Sequence, residues 1–311
     1  MAKPEIKNVY VDKFLSNYSI SYKNGKFVSD IIAPSVGVKG ETGIFYRFGM
    51  EGFYIEDDNR ALGAAANEVQ WEPTEDTYKC REKALAIGTA QRIIDQEDSP
   101  VKTNIRNVEI LKDKIYLAKE RRVADLLINS GAFGGRTLNA NSHWDADTSA
   151  TESFPFAHIQ EGKTAVRRGC LNDPTHILIP PTIAEVFQNH PDYIERIKNS
   201  DSRLVTNSGL PSKIAGLTVL TPDVYVVDHE TAEVTDATEL WGNNVIIMYV
   251  NSNPGLDTVN TITTFMKRAG RVRRWFDDRA ESQYVEFSMI LGEEIVCPGG
   301  AYIIKNVLGS L

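Results

Sequence analysis

Three stretches of the sequence carry residue types that could do chemistry. Gly162-Lys163-Thr164 matches the end of a phosphate-binding loop, in which backbone amides cradle the phosphate beside a lysine. That loop also needs a glycine five positions before its second one, and Ala157 stands there. His229-Glu230 begins the helical pattern that sets two histidines one turn apart around zinc, but Glu233 occupies the second histidine position. His158 with Glu161 lacks a third ligand. His190-Pro191-Asp192 places a base beside a carboxylate, yet neighbours in sequence seldom aim at one atom, and no nucleophile is implied. Neither a GxSxG elbow nor a GxGxxG loop occurs. The reading is that no residue is catalytic, cofactor-binding or metal-ligating, and that no cofactor is needed.

The elements around these residues explain them better. A residue before proline is pushed out of the helical region, and proline is accepted in the first turn of the next helix. His190-Pro191 is therefore expected as the joint between a helix over 182–188 and a following one, behind a strand at 176–179. Upstream, Ser99-Pro100 reads as a cap and first turn. Ile105, Val108, Leu111, Ile115, Ala118, Val123 and Leu127 then recur at three- and four-residue steps up to Gly131. Roughly 30 residues at 1.5 Å each make a spine about 45 Å long. Lys112, Asp113, Lys119, Glu120 and Arg121 are expected on its other, solvated or subunit-facing side.

Residues 1–36 scatter apolar positions among polar ones and read as an extended arm that must lie on another surface. Residues 37–78 interleave glycines with Phe45, Tyr46, Phe48, Phe53 and Tyr54 and read as a long hairpin with an acidic tip at Glu56, Asp57 and Asp58. The segment 61–68 is a weakly helical insert. Trp144 anchors a polar loop. A helix is expected beyond Phe154-Pro155, and strands over 213–220, 223–227, 244–250, 259–276, 283–291 and 301–307 give the alternation of a mixed α/β layer.

The cluster Lys267, Arg268, Arg271, Arg273 and Arg274, with Phe265 and Trp275, could meet phosphate or carboxylate. The acidic tip, carried across to another copy, would supply carboxylates. Contact between subunits through Glu56, Asp57, Asp58, Arg268, Arg271, Arg273 and Arg274 is the expectation, acting on orientation more than affinity.

The 311 residues, 42% hydrophobic and 24% charged, suit a folded chain with a sizeable core, and the net charge of −8 argues against a protein that grips nucleic-acid backbones over its whole surface. No run of 18 apolar residues exists and the N-terminus is polar, so no membrane partner and a cytoplasmic site of synthesis are expected. Cys80, Cys170 and Cys297 are far apart in sequence and read as small buried hydrophobes.

The order of arm, glycine-rich hairpin, spine helix and α/β region resembles the major capsid proteins of tailed bacteriophages, the Hong Kong 97-type fold. The local matches are ValAspLysPheLeuSerAsnTyrSerIleSerTyr with IleIleAlaProSerValGlyVal, LeuAlaLysGluArgArgValAlaAspLeuLeu, the stretch from His176 to Ile194, and LeuTrpGlyAsnAsnValIleIleMetTyrVal. The resemblance implies an α+β fold with an N-terminal arm at 1–36 and an extended loop at 37–88. It implies a peripheral domain at 89–153 and 256–311 holding the spine helix 100–131, and an inserted α/β axial domain at 154–255. It further implies a structural protein, not an enzyme, that assembles with itself into pentamers and hexamers of an icosahedral shell around double-stranded DNA, without sequence-specific contact. Scaffold, portal and decoration proteins would be its other partners. The virion would be its location, after assembly in the host cytoplasm. No long charged extension precedes the arm, which implies a separate scaffold or a processed chain. Two rivals remain: an encapsulin-like nanocompartment shell, and a cytoplasmic α/β enzyme using His190 or His176 with a nearby carboxylate.

Overall fold

The computed structural model describes residues 10–11, 27–47, 55, 57–60, 63, 74–96, 100–146, 153–197, 210–227 and 237–309. Along the chain, β1 (Tyr10–Val11), α1 (Ser29–Ile32) and β2 (Ser35–Gly37) lead into β3 (Thr42–Arg47) and β4 (Thr74–Lys79). Next come β5 (Arg81–Ala90), α2 (Gln91–Asp95), α3 (Pro100–Ile128) and β6 (Gly134–Thr137). A mixed stretch follows: α4 (Pro155–Cys170), β7 (His176–Leu178), α5 (Pro181–Asn189) and α6 (Pro191–Ile197). β8 (Lys213–Ile214), β9 (Leu217–Leu220), β10 (Tyr225–Val226), β11 (Thr238–Glu239) and β12 (Asn244–Met248) are short. β13 (Ile262–Asp277), β14 (Ser282–Ile295) and β15 (Ala301–Lys305) complete the series.

Two sheets carry the architecture. In the first, β13 and β14 form a long antiparallel pair with β5 along the far side of β14, while β1 and β2 both lie on β13. The second has the order β6-β15-β12-β7-β9-β8 and mixes parallel with antiparallel pairs. Its central strands β7, β12 and β15 carry apolar runs because both of their faces are covered, whereas the edge strand β6 is exposed. Val245 and Ile247 of β12 pack on one side with Ile159, Val166, Ile183 and Phe187, while Ile246 and Met248 pack on the other with Val123, Ala124 and Leu127.

The helix α3 belongs to both sheets. Its first half lays Val108, Leu111 and Ile115 on Val272, Val285, Phe287 and Met289 of the first sheet. Its second half covers the second sheet. At 29 residues it is about 44 Å long. The expected extent was 100–131, and the capping residue expected at Ser99 lies outside the described residues. Two features of its surface differ from the periodic reading. Ala118 is exposed, whereas Lys112, Lys119 and Glu120 are buried at 4%, 2% and 0% exposure. For Lys119 and Glu120 the reason is α1, which packs on the spine there: Asp30 pairs with Lys119, and Glu120 accepts the Ser29 N–H. Lys112 lies over the Tyr116 ring.

Strand pairing runs across the expected segment limits. β6 and β15, expected in the peripheral domain, are hydrogen-bonded into the second sheet, because the alternation Ala301, Tyr302, Ile303, Ile304 serves both of its apolar layers. The far end of the expected 37–88 loop is β5 of the first sheet, paired residue by residue with β14. The hairpin itself is β3 on β4, with Thr42 opposite Lys79 and Arg47 opposite Thr74. Glu56 and nearly all of the expected insert 61–68 lie outside the described residues, as does His229-Glu230 with Glu233.

Candidate functional surface

The histidine joint comes first. α5 ends at His190, whose backbone is extended at φ −71° and ψ 132°, and Pro191 opens α6. The imidazole caps that new helix: its Nδ1 accepts the Asp192 N–H at 3.1 Å. Nε2 therefore carries the proton and donates to Ser153 Oγ at 3.2 Å, and the Ser153 hydroxyl donates onward to the His143 carbonyl at 2.8 Å. A base that donates to a serine cannot take that serine's proton. The Asp192 carboxylate faces the Phe156 amide instead of the ring. His158 accepts the Trp144 indole N–H at 3.1 Å on Nδ1, and His176 pairs with Thr175 Oγ1 at 2.8 Å. Burial holds all three imidazoles below their ordinary pKa, so each sits neutral. Gly162-Lys163-Thr164 is mid-helix in α4, where Lys163 donates to the Ala215 carbonyl.

The three cysteines are free and buried, and burial pushes the Cys297 thiol up to about 11, which keeps it protonated and inert. No group of three or more His, Cys, Asp or Glu is placed to hold a metal among the described residues. A groove of about 220 Å³ at the end of α3 is lined by Leu127, Phe133, Arg136, Ile303 and Lys305, with no paired acid and base. No helix among the described residues is long and apolar enough to cross a membrane.

The charged cluster is largely occupied within its own chain. Lys267 pairs with Glu41 at 2.8 Å, Arg268 with Glu82 at 2.6 Å, and Arg273 with Glu286 through both carboxylate oxygens. The Lys267 ammonium, by hydrogen bond and by charge, lowers the Glu41 pKa. Arg274 stands opposite Tyr10 of β1 in the sheet register. Arg271 forms no ion pair among the described residues and is half-buried on the same sheet face as Arg273. Asp57 and Asp58 are exposed, and Asp57 accepts both N–H groups of Asn59 at 3.0 Å, an Asx turn at the acidic tip. Within one copy, then, the tip and the cluster are not brought together among the described residues. The feature that sequence reasoning missed is Glu120. Its Oε1 accepts Val28 N–H at 3.2 Å and the Trp241 indole N–H at 3.1 Å, and its Oε2 accepts Ser29 N–H at 2.8 Å.

Apolar side chains are exposed on the hairpin, as they are at Ile93, Phe154 and Phe276 elsewhere in the described residues. Phe45 and Tyr78 bury one of its faces on Phe265, with ring centroids 5.2 and 4.6 Å apart. On the opposite face Ile44 is 50% exposed and Tyr46 is 37% exposed, and further out Ile55 is wholly exposed. A two-stranded ribbon with a bare apolar face is marginal by itself.

No family model matches the sequence. The chain is 26% identical over 252 residues to the major capsid protein of Burkholderia phage BcepMu, a match that spans 77% of this chain and 76% of that one. Among solved structures it is similar to a phage-related protein from Bordetella bronchiseptica, with TM-score 0.74 and 18% identity over 96% of this chain and 97% of that one. The capsid of a native GTA particle matches with TM-score 0.60 and 14% identity, over 92% and 91% of the two chains. A virus-like particle from Pyrococcus furiosus matches with TM-score 0.54 and 10% identity, over 94% and 98%.

Proposed function

We infer that this chain, a homologue of phage major capsid proteins and folded like the subunits of phage capsids, is the major structural subunit of a head shell. Copies would associate into pentamers and hexamers of a closed icosahedral shell around double-stranded DNA, with scaffold, portal and decoration proteins as further partners. Assembly would take place in the host cytoplasm and the virion would be the final location. The loop beyond β3 and β4 would reach a neighbouring copy, and the second sheet with α4, α5 and α6 would form the axial domain.

The observation that carries this reading is the β3–β4 hairpin, whose strands pair only with each other among the described residues and whose outer face leaves Ile44, Tyr46 and then Ile55 uncovered. A second copy laid against that face would remove it from water. The acidic tip Glu56, Asp57 and Asp58 of one copy would then lie near Arg271 of the next. Arg268 and Arg273, held by Glu82 and Glu286, would set the shape of that patch more than its charge. A quasi-equivalent shell needs such contacts to flex between positions.

Electron microscopy of the expressed protein, alone and with a candidate scaffold, tests the reading. Closed shells of uniform diameter are expected, and a monodisperse monomer under both conditions would overturn it. A shell around protein cargo is the second reading, supported by the likeness to the Pyrococcus furiosus particle. Nuclease-protected DNA inside particles from infected cells selects the first, and a co-purifying enclosed protein selects the second.

A further inference from the structure

Glu120 is a buried carboxylate that no part of the shell reading uses. Its donors come from two directions: Val28 and Ser29 on the segment that leads from the arm into the first sheet, and Trp241 on the turn before β12 of the second sheet. Oε1 is shared between the two sides. Beside it Lys119, itself 2% exposed, pairs with Asp30 of α1 at 2.5 Å, and Phe27 stacks on Tyr116 one turn earlier. Val28, Ile32 and Ala33 share an apolar layer with Val123, Leu127 and Trp241.

A carboxylate with no exposure depends on every donor it has, because each one offsets part of the water it gave up. Withdrawal of the Trp241 indole leaves Oε1 with the Val28 N–H alone, at 3.2 Å, and the under-solvated carboxylate then gains by turning toward water. That turn breaks its bonds to Val28 and Ser29. We propose that Glu120 is a latch coupling the root of the N-terminal segment to the second sheet, so that displacement of the Trp241 turn frees residues 27–33 from the spine. By thermodynamic reciprocity, release of residues 27–33 loosens the Trp241 turn by the same factor. The latch stands on the single chain and does not depend on the shell reading.

Hydrogen exchange and fluorine resonance on the full chain test it from both ends. The amides of Ile31, Ile32 and Ala33 are the reporters, since they bond to Val28 and Ser29 carbonyls within the segment. Benzothienylalanine at position 241 keeps the bicyclic ring and replaces the indole N–H by sulfur, so it removes the donor without opening a cavity beside Val28 and Ile32. It should speed exchange at these three amides roughly tenfold, with amides 108–115 of the spine unchanged. Unchanged rates at 31–33, or an equal rise everywhere, would overturn the proposal. In the reverse direction Asp30→Asn removes the negative charge that faces Lys119 while leaving an amide oxygen to accept its hydrogen bond, which weakens the hold of α1 on the spine, and circular dichroism checks that the chain stays folded. With 5-fluorotryptophan at 241, the substitution should shift that resonance, and a resonance left in place counts against the coupling.

Discussion

Ser153 Oγ and His190 Nε2 stand 3.2 Å apart, with the proton on the histidine and the serine as acceptor. The pair has the spacing of a nucleophile and its base and the opposite polarity. His190 is a helix cap, and its removal should be felt as lost stability. His190→Ala should cost about 1–2 kcal/mol, and His190→Asn, which can still accept the Asp192 amide, should recover part of it. Thermal melts of the two variants compare them directly, and equal melting temperatures would remove the cap from the account.

The neutral histidines make a second prediction, on acid stability. Burial depresses the pKa of His158, His176 and His190 below the ordinary 6.5. As pH falls below 6.5 the unfolded chain takes up protons that the folded chain refuses, so each histidine subtracts stability on acidification. Burial raises Glu120 and Glu294, which has the contrary sign, since a folded carboxyl that protonates early gains on acidification. The histidine part is therefore read as a difference. Denaturant midpoints between pH 7 and 5 should fall less steeply in His158→Gln than in the native chain, and parallel slopes would contradict the assignment.

Arg122 ties α3 to β14 through both oxygens of Glu293, at 3.1 and 2.8 Å, and the Glu293 side chain is only 5% exposed. Arg122→Met leaves that carboxylate unpaired and should cost about 2 kcal/mol, discounted because the arginine is partly exposed. The double variant Arg122→Met, Glu293→Met should cost less than the single one. Urea titration of the full cycle gives the interaction term.

Gly169 of α4 and Gly299 approach backbone to backbone. A methyl group at Gly169 would lie 2.5 Å from the Gly299 carbonyl oxygen. Gly169→Ala should separate α4 from the loop that leads into β15 and cost about 1–3 kcal/mol. A midpoint within error of the native value would show that the loop yields freely.

For the proposed shell contact, deletion of residues 50–66 should leave a folded subunit by circular dichroism and no closed particles by microscopy. Asp57→Lys with Asp58→Lys should slow assembly more at low salt than at high salt, and adding Arg271→Glu should restore part of the rate. Intact shells from the deletion would remove the loop from the closure step.

The readable parts of the sequence were those set by local rules. Pro100 and Pro191 mark helix starts because proline fixes its own backbone angle, and the run Asn244 to Met248 declares a strand covered on both faces. Glu120 was not readable, since periodicity assigns a charged residue to the outer face and its partners Ser29 and Trp241 lie 91 and 121 positions away. The same holds for Arg268 and Glu82, separated by 186 positions, which satisfy each other inside the chain. Sheet membership of β6 and β15 was hidden for a related reason: both faces of one sheet draw strands from distant segments, and no local pattern says which strand sits beside which.

The first sheet has a consequence for synthesis. Residues 35–37 find their partners at 264–266, and β5 finds its own in β14, which runs to Ile295. A ribosome must therefore release the chain through Ile295 before this layer can form. Until then residues 35–37 wait without their neighbour. When β1 and β2 do return they line the margin of β13, a 16-residue ribbon edge that would otherwise template fibrous aggregation between nascent molecules.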